Sequence, residues 1–403
     1  MAAGKAKPTD QIMTEPFEGC YPCFGGNGIR GYVDEYNQDG IFSIVGRQGA
    51  LCGNINIAKG KFYATEHAVV TTLFSGIDFN WSNYVLEALQ LNSYATGAAQ
   101  PGLSVANVLN VFVPVPPTQE QVHIGIRIAE SIKIIENIED EKENLQTLIS
   151  SAKSKILDLA IRGKLVSQNP NDEPASVLLE RIRAEKEELI KQGKIKRDKK
   201  ESIIFKGEDN SYYLKTGDIT EPLEDWELDG LPDSWSFCCL GEICDYGNCI
   251  NVATVDIDDS AWILDLEDIE KDTGIVLQKV RKAKRNSIST KHLFHKGQVL
   301  YSKLRPYLNK VVLADEDGYC TSEILPLDFQ ENIIPQYARY YLMSPTFLQY
   351  TNKCSYGVKM PRLGTVDGKK TIITLPPLAE QKRIVKAIET IFAQLDEISN
   401  AIA

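Results

Sequence analysis

Apolar and polar residues alternate along two separated stretches of this chain. Residues 40–73 and 296–327 each show apolar alternation, a polar turn and a second alternation, which predicts short β-strands. A helix candidate rich in aromatic residues follows each stretch, "WSNYVLEALQL" at 81–91 and "IPQYARYYLMS" at 334–344. The pattern therefore predicts two α+β units of similar construction.

The two units are related by an internal repeat. Residues 96–121 match residues 356–381 at an offset of 260 without a gap, as "TGAAQPGLS…VPVPPTQEQ" against "YGVKMPRLG…ITLPPLAEQ". Seven identical pairs share this register, which indicates a duplication. The pairs are Gly97–Gly357, Pro101–Pro361, Leu103–Leu363, Pro116–Pro376, Pro117–Pro377, Glu120–Glu380 and Gln121–Gln381.

The hydrophobic period changes after each Pro-Pro pair. Apolar residues then recur at steps of three and four, the heptad pattern of a coiled-coil helix. The polar "TQEQ" or "LAEQ" begins the helix, with Glu in the first turn where it suits the helix dipole. A helix over about residues 119–162 would be roughly 65 Å long. The predicted seam residues are Ile128, Ile135, Ile138, Leu145, Ile149, Ile156, Ile388, Ile391, Leu395 and Ile398.

These seams predict that the two helices pack together. A helix of that length cannot hide its seam alone, and each helix leaves an equivalent unit, so we expect an antiparallel coiled coil. The alternative is that each amphipathic helix packs on its own unit. The predicted divisions are a first domain at 1–117, a central helix and spacer at 118–200, an acidic and irregular linker at 201–232, a second domain at 233–377 and a coiled-coil helix at 378–403.

Composition narrows the class of protein. A chain of 403 residues with 43% hydrophobic residues can form two or three globular units. It has no run of eighteen apolar residues and no secretory signal, so we expect a cytoplasmic protein. The net charge of −11 argues against a protein that coats nucleic acid non-specifically, because such binding comes from Lys and Arg on phosphates. Any DNA contact must be local or shared with a partner.

The sequence does not match the known motifs for nucleotide, metal or catalytic sites. "GGNGIRG" at 25–31 has no apolar strand before it and no helical period after it, which favours tight turns over a nucleotide loop. The nine cysteines have neither disulfide nor zinc spacing, which predicts reduced thiols and no metal site. Walker A, nucleophile-elbow, metalloprotease and amino-methyltransferase motifs are missing from the sequence, so we expect no catalytic site.

Candidate DNA contacts lie in two segments of the second half. In "YSKLRPYLNKV" (301–311) and "YGVKMPRLG" (356–364), basic residues stand among aromatic or Gly-Pro residues, which suits contact with phosphates. The amides of Asn27 and Gln48 could read adenine. The alternative is an amphipathic strand and turn with solvated lysines. The candidates are Asn27, Arg30, Arg47, Gln48, Lys61, Tyr301, Lys303, Arg305, Lys310, Lys359 and Arg362.

The central segment has a different composition. "ASVLLERIRAEKEELIKQGKIKRDKK" (175–200) predicts a helix that runs into a basic tail. Such a run is typical of a solvated helix or a linker, and the alternative is a contact with phosphate or with a partner.

Together these motifs resemble the specificity subunits of Type I restriction-modification enzymes. The resemblance is carried by the duplicated "PPLAEQKRIVKAIE" and "PPTQEQVHIGIRIAE" helix starts, by "LRPYLNKV", by "YGVKMPRL", and by the centre from "LAIRGKLVSQNPNDEP" to "IIFKGEDNSYY". It implies two target-recognition domains, each reading half of a split DNA site, separated by long helices that dock two methyltransferase subunits. It also implies restriction subunits, with S-adenosylmethionine, ATP and magnesium bound by partners and not by this chain.

The chain departs from the family pattern in its first half. The second domain opens with "LPDSWSFCCLGEICDYG", whereas the first begins near "YPCFGGNGIRGYVDEYN", which in the family lies further in. We therefore expect a shortened first recognition domain, and a final helix that stops early at Ala403. The rival hypothesis is a coiled-coil scaffold with a degenerate first reader.

Overall fold

The computed structural model describes residues 1–49, 51–97, 101–195, 197, 201–209, 211–223, 230–285, 288–329 and 332–402. Two compact units divide the chain, Met1–Glu141 and Lys142–Ala403. We refer to them as the first unit and the second unit.

The first unit is built on one six-stranded sheet. Its strand order is β1-β6-β4-β5-β2-β3, antiparallel except for the parallel pair β2 and β5. Apolar residues of the long central strands, including Ile44 and Phe62, form its core. The strands are β1 Ala2–Ala3, β2 Tyr21–Gly25, β3 Gly28–Val33, β4 Gln38–Gly46, β5 Ile55–Ala64 and β6 Ala68–Thr71.

The glycine run at 25–31 forms the turn of a hairpin. It joins β2 to the antiparallel strand β3, and Gly28 adopts φ +83°, a conformation that favours glycine. A strand follows these glycines instead of the helix that a dinucleotide loop requires.

Three helices follow the sheet of the first unit. They are α1 Phe79–Ala88, α2 Val105–Val108 and α3 Thr118–Ile161. Asp78 caps α1 by accepting a hydrogen bond from the backbone N–H of Trp81 at 2.9 Å. The long helix predicted over 119–162 is confirmed as the 44-residue α3, which begins in the first unit and ends in the second.

The described residues of the second unit form four sheets. Their strand orders are β10-β19, β11-β14-β17-β12-β13, β16-β15-β18 and β7-β8-β9. The strands are β7 Ser202–Lys206, β8 Tyr212–Thr216, β9 Ile219–Pro222, β10 Ser236–Cys239, β11 Asn251–Val252, β12 Trp262–Leu264, β13 Val280–Arg281, β14 Lys291–Phe294, β15 Val299–Ser302, β16 Val311–Leu313, β17 Gly318–Thr321, β18 Ile324–Leu327 and β19 Ile372–Leu375.

Six α-helices are formed by the described residues of the second unit, in addition to the end of α3. They are α4 Ala175–Lys191, α5 Leu240–Ile243, α6 Pro335–Leu342, α7 Pro345–Cys354, α8 Thr365–Lys370 and α9 Leu378–Ala401. Its largest core joins the ends of α3 and α9 to α4, α6 and the strands β10, β15 and β19. A smaller core surrounds Trp262 and Phe294, whose ring centroids are 5.2 Å apart.

The end of α3 packs antiparallel to α9, as the heptad pattern predicts. Lys153 forms an ion pair with Asp396 and lies over the ring of Phe392, 5.4 Å from its centroid. Eight residues further along α3, the carbonyl of Ile161 accepts a hydrogen bond from Thr374 Oγ1 at 2.6 Å. Because the partner positions decrease while α3 advances, the two helices run in opposite directions.

Burial along the predicted seam is uneven. Ile149 and Ile388 are buried, and Leu145, Ile156, Ile391 and Leu395 are half-buried. Ile128 is also half-buried. Ile135, Ile138 and Ile398 are instead 55%, 58% and 47% exposed, so their prediction as packed seam residues is wrong for this chain. For Ile135 and Ile138 the reason is that a heptad pattern does not set the length of the partner helix, and the 24-residue α9 is much shorter than the 44-residue α3. Nothing in the structure explains the exposure of Ile398, which lies on α9 itself.

The segment predicted as an irregular linker at 201–232 contains regular structure. Strands β7, β8 and β9 form an antiparallel meander between 202 and 222. The prediction of irregular structure there is wrong because Ile204 and Leu214 alternate toward Phe237 and form a small core. Residues 224–229 of the predicted linker, and residues 196 and 198–200 of the predicted basic tail, lie outside the described residues.

None of the helices formed by the described residues has the length and apolar character needed to cross a bilayer.

Candidate nucleic-acid interface

The duplicated Gly-Pro segment makes the same backbone contacts in both units. We call residues 96–103 and 356–363 the Gly-Pro loops, and residues 47–49 and 303–305 the basic loops. In the first unit, Leu103 N donates to Arg47 O at 2.7 Å and Gly49 N donates to Pro101 O at 3.0 Å. In the second unit, the corresponding bonds are Leu363 N to Lys303 O at 3.0 Å and Arg305 N to Pro361 O at 2.7 Å. Each Gly-Pro loop is therefore fixed to a basic loop.

Each Gly-Pro loop is also closed on itself. Thr96 and Gly102 exchange two backbone hydrogen bonds of 2.9 Å, and Tyr356 and Arg362 exchange two of 3.1 and 2.9 Å. Gly97 and Gly357 both adopt φ +99°, a conformation strained for other residues. Residues 98–100 of the first loop lie outside the described residues. The repeat visible in the sequence is thus a repeat of backbone geometry.

A buried glutamine supports each repeat, and sequence reasoning missed this role. Gln121 accepts a hydrogen bond from Asp78 N at 2.8 Å and donates to Pro116 O at 2.8 Å. Gln381 likewise accepts from Ile334 N at 2.9 Å and donates to Pro376 O at 3.1 Å. Each amide therefore joins the start of a long helix to the start of the aromatic-rich helix. The identity of these glutamines in the "TQEQ" and "LAEQ" repeats was the available signal.

In the second unit, the basic loop presents two candidate cations. Lys303 and Arg305 are both half-buried and lie in the turn that links β15 to β16. Arg305 has a left-handed backbone, φ +49° and ψ +62°, whereas the first unit has Gly49 at this position, with φ +93°. The buried Nε of Arg305 has no hydrogen-bond partner among the described residues. The Arg305 side chain therefore has unused hydrogen-bonding capacity.

The Gly-Pro loop of the second unit adds one free and one paired cation. Lys359 is exposed at the loop tip, and Tyr307, two residues after Arg305, is 46% exposed. Arg362 instead forms a bidentate ion pair with Glu323, with its Nη2 2.7 Å from Oε1. The Arg362 guanidinium lowers the pKa of the Glu323 carboxyl below its ordinary value. Arg362 consequently orders the loop and has its charge largely neutralised.

One predicted DNA contact, Tyr301, is wrong because its side chain lies in the core, and a second, Lys310, has its ammonium group bonded within the unit. Tyr301 is buried, and its ring packs against Phe347 with the centroids 5.6 Å apart. Burial raises the pKa of the Tyr301 phenol. Lys310 donates to the backbone carbonyl of Leu266 at 2.6 Å, and burial lowers the pKa of its ammonium group. The Tyr301 side chain is therefore inaccessible to a DNA duplex, and the half-buried Lys310 ammonium group already has a hydrogen-bond acceptor.

The first unit brings most of its candidates to one end of its sheet. Arg47 and Gln48 are exposed in the basic loop, and a Cβ at Gly26 would lie 3.0 Å from Gln48 O. The adjacent Asn27 is exposed and accepts a hydrogen bond from Asn54 at 2.6 Å. The glycine turn therefore lies beside the basic loop, so that three candidate side chains share one surface.

Two further candidates of the first unit have other contacts. Arg30, on β3, donates to Thr9 Oγ1 at 2.9 Å and is exposed. Lys61 lies over the ring of Tyr36, 4.6 Å from its centroid, and a hydrogen bond with Tyr36 raises its pKa. No contact among the described residues joins Lys61 to the basic loop, so it stays separate from this cluster.

The chemistry of these surfaces suits anion binding. Lys and Arg side chains on closed loops can contact phosphates, and Gln and Asn amides can pair with base edges. Within the described part of the chain, no group of three or more His, Cys, Asp or Glu residues could hold a metal ion. The groups that could bind DNA on these surfaces are thus the charged Lys and Arg side chains and the amides of Gln and Asn.

Comparison with known proteins identifies a family. Residues 3–147 and 232–403 match the family described as "Type I restriction modification DNA specificity domain". The EcoprrI specificity subunit of Escherichia coli is 48% identical over 126 residues, 31% of this chain and 31% of that protein. The EcoDI specificity subunit of Escherichia coli is 22% identical over 360 residues, 87% of this chain and 72% of that protein.

A third relative and one solved structure extend the comparison. The EcoAI specificity subunit of Escherichia coli is 31% identical over 258 residues, covering 62% of this chain and 40% of that protein. The matches thus span less than two thirds of two of these three relatives. A structure described as the basis of complex assembly and conformational transition of the type I R-M system covers 100% of this chain and 90% of its own, with 15% identity and a TM-score of 0.54. It shares the fold.

Proposed function

Because the chain belongs to the family of the Type I restriction modification DNA specificity domain, we propose that it is a sequence-specific DNA-recognition subunit of a Type I restriction-modification complex. The observation that carries this proposal is the duplicated pairing of a Gly-Pro loop with a basic loop. Each unit has one such loop pair, and the two pairs carry different side chains. Each pair could therefore recognise a different half of a DNA target.

Some of the candidate residues would contact the phosphates of DNA, and others would contact the edges of its bases. In the second unit, Lys303, Arg305 and Lys359 would contact phosphates and fix the register of the protein on the duplex. In the first unit, Arg47 would contact phosphate while Gln48 and Asn27 read base edges. Arg362 would act indirectly, because it is bound to Glu323 and orders the loop.

Partners would supply the chemistry. We propose that two methyltransferase subunits and the restriction subunits bind S-adenosylmethionine, ATP and magnesium, and that this chain is non-catalytic. The net charge of −11 supports shared binding, since so acidic a chain can supply only part of the electrostatic affinity for DNA. Action on cellular DNA would place the complex in the cytoplasm.

A scaffold without DNA selectivity is the competing function. The exposed Ile135 and Ile138 of α3 favour it, since such an apolar surface suits the docking of a protein partner. A DNA-recognition subunit and a scaffold could both bind the methyltransferase, but only the recognition subunit would select a DNA sequence.

Selection of bound sequences separates the two functions. The chain is co-purified with its methyltransferase partner, and the complex selects from a random duplex pool at physiological salt. We expect two different half-sites at a fixed spacing. Enrichment of one half-site would limit reading to one unit, and enrichment of no sequence would support the scaffold.

Substitution tests the assigned residues. The double variant K303A/R305A should bind selected DNA more weakly, with a salt slope reduced by about two because two phosphate contacts are lost. The matched control is K206A/K215A, which removes the same charge from the exposed surface of β7 and β8. Equal effects in both variants would mean that only net charge matters, which would contradict the site.

A further inference from the structure

The two units differ at the strand before each Pro-Pro pair. In the second unit, β19 pairs antiparallel with β10 over four residue pairs, from Ser236 with Leu375 to Cys239 with Ile372. At the same repeat position, residues 112–115 of the first unit form no strand, and no described strand pairs with them. One member of the repeat therefore has a partner strand that the other lacks.

The unpaired segment exposes apolar side chains that its counterpart buries. Val113 and Val115 are 36% and 59% exposed, whereas their counterparts Ile373 and Leu375 in β19 are 3% and 0% exposed. Phe112 is 97% exposed, and its counterpart Ile372 is half-buried. No hydrogen bond between described residues uses the backbone groups of Phe112, Val113 or Val115. An apolar segment with free backbone donors and acceptors has the properties of an edge to which a strand can be added.

The segment is held in place at both ends. On one side, directly before the segment, Val111 N donates to Val108 O at 3.1 Å, and Val108 is buried. On the other side, Gln121 donates to Pro116 O at 2.8 Å, as Gln381 does to Pro376 O in the second unit. Fixing both ends lowers the entropy cost of adding a strand, because the acceptor is already close to its final position.

Pro114 does not prevent strand pairing. Its counterpart, Thr374, has its N–H 3.4 Å from Tyr341 Oη and its C=O bonded to Tyr337 Oη at 2.8 Å, so both groups point away from β10. Backbone groups alternate in direction along a strand, so the residues on either side of Thr374 face β10. By the repeat, Val113 and Val115 face the open edge, and a proline between them removes no bond to an added strand.

The start of the following helix shows the same asymmetry. Glu380 of α9 is buried and accepts a hydrogen bond from Gln168 Nε2 at 2.6 Å, whereas Glu120 of α3 is exposed. The open surface of the first unit thus extends from the unpaired segment to the first turn of α3.

We propose that residues 112–115 are an acceptor edge for a β-strand supplied by a partner polypeptide. The strand that fits is defined by β10: it is antiparallel, it has a small side chain at the position of Cys238, which is fully buried, and it has aromatic residues at the positions of Trp235 and Phe237. Main-chain hydrogen bonds supply affinity in such strand addition, and alternate side chains supply specificity.

A peptide tests the proposal on the full chain. The probe is a fluorescent peptide with the sequence of residues 231–242, "LPDSWSFCCLGE", carrying C238A and C239A to prevent oxidation. We expect saturable binding of one peptide per chain and slower amide hydrogen exchange at residues 112–115. The variant V113P removes an N–H that faces the edge and should weaken binding about tenfold, the value of one lost hydrogen bond.

A second proline variant is the matched control. At the counterpart of Phe112, the carbonyl of Ile372 points to Tyr341 Oη, so F112P removes an N–H that faces away from the edge. It should bind the peptide more tightly than V113P, and thermal unfolding of both variants verifies that they are folded.

Several outcomes would overturn the proposal. These are no binding at about 1 mM peptide, equal binding by V113P and F112P, or protection at β19 in place of 112–115. Protection of 112–115 that grows with protein concentration in the absence of peptide would assign the edge to a second copy of this chain.

Discussion

Arg305 keeps a left-handed backbone at a position where the first unit has Gly49. This conformation costs a non-glycine residue roughly 1–2 kcal/mol, because Cβ approaches the following carbonyl oxygen. Strained residues persist where the side chain has a function that compensates for the cost. The left-handed backbone therefore favours a functional role for Arg305, for which we propose a contact with DNA.

Two replacements of Arg305 separate the effect of its left-handed backbone on stability from the effect of its side chain on DNA binding. R305G relieves the left-handed strain, so its free energy of unfolding should not fall and should rise by up to about 1 kcal/mol, while affinity for DNA decreases. R305A is the control, because it removes the same side chain but keeps the strain. Chemical denaturation should find R305A less stable than R305G, with similar DNA affinity. Normal DNA binding by both variants would contradict the role of Arg305.

Glu323 competes with phosphate for Arg362. The variant E323Q removes a negative charge from the interface and releases the Arg362 guanidinium from its bidentate ion pair. We expect non-specific DNA affinity to rise and the salt slope to steepen by about one, measured by binding titrations at several salt concentrations. E316Q removes one charge on the same unit, beside Arg281 at 2.9 Å, and should leave the slope unchanged.

The sequence predicted which loops are basic but not where each side chain points. Lys303 and Tyr301 are neighbours in the same apolar alternation, yet β15 is buried on both faces, so alternation could not identify Tyr301 as a core residue. The inward direction of Lys310 depends on the carbonyl of Leu266, which is 44 residues away. Such long-range partners leave no local signal.

At the scale of elements, the buried glutamines should be structural. Q381M keeps the side-chain volume but leaves Ile334 N–H and Pro376 C=O without their bonds, which should cost about 2–4 kcal/mol in the free energy of unfolding. Chemical denaturation measures this cost. K382M, at the adjacent exposed position of the same helix turn, is the matched variant and should change stability little.

Elements with a periodic sequence were predictable, and elements that depend on distant partners were not. The heptad pattern predicted α3 to within one residue at each end, because helical hydrogen bonds are local. β7 to β9 were missed because acidic residues and a polar turn masked their alternation, and their core requires Phe237. The exposed Ile135 and Ile138 were predicted as buried because a heptad pattern does not reveal the length of its partner helix.

At the scale of the whole molecule, duplication with unlike side chains predicts two independent specificities. The first unit has the exposed Arg47 and Gln48 where the second has the half-buried Lys303 and the buried Leu304, on the same backbone framework. Because base readout depends on side chains, each unit should select its own half of the target. A shared framework with unlike side chains would allow one fold to read two sequences.

Unit-specific variants test this independence. R47A/Q48A should relax the base preference in one half-site and leave the other half-site intact. K303A/R305A should instead weaken the contribution of the second half-site to DNA affinity. Sequence selection with each complex measures both effects. A lost base contact is worth about 1–3 kcal/mol, a difference that selection resolves. If either variant relaxed both halves together, the units would act as one composite site, and the duplication would reflect shared architecture without separate reading.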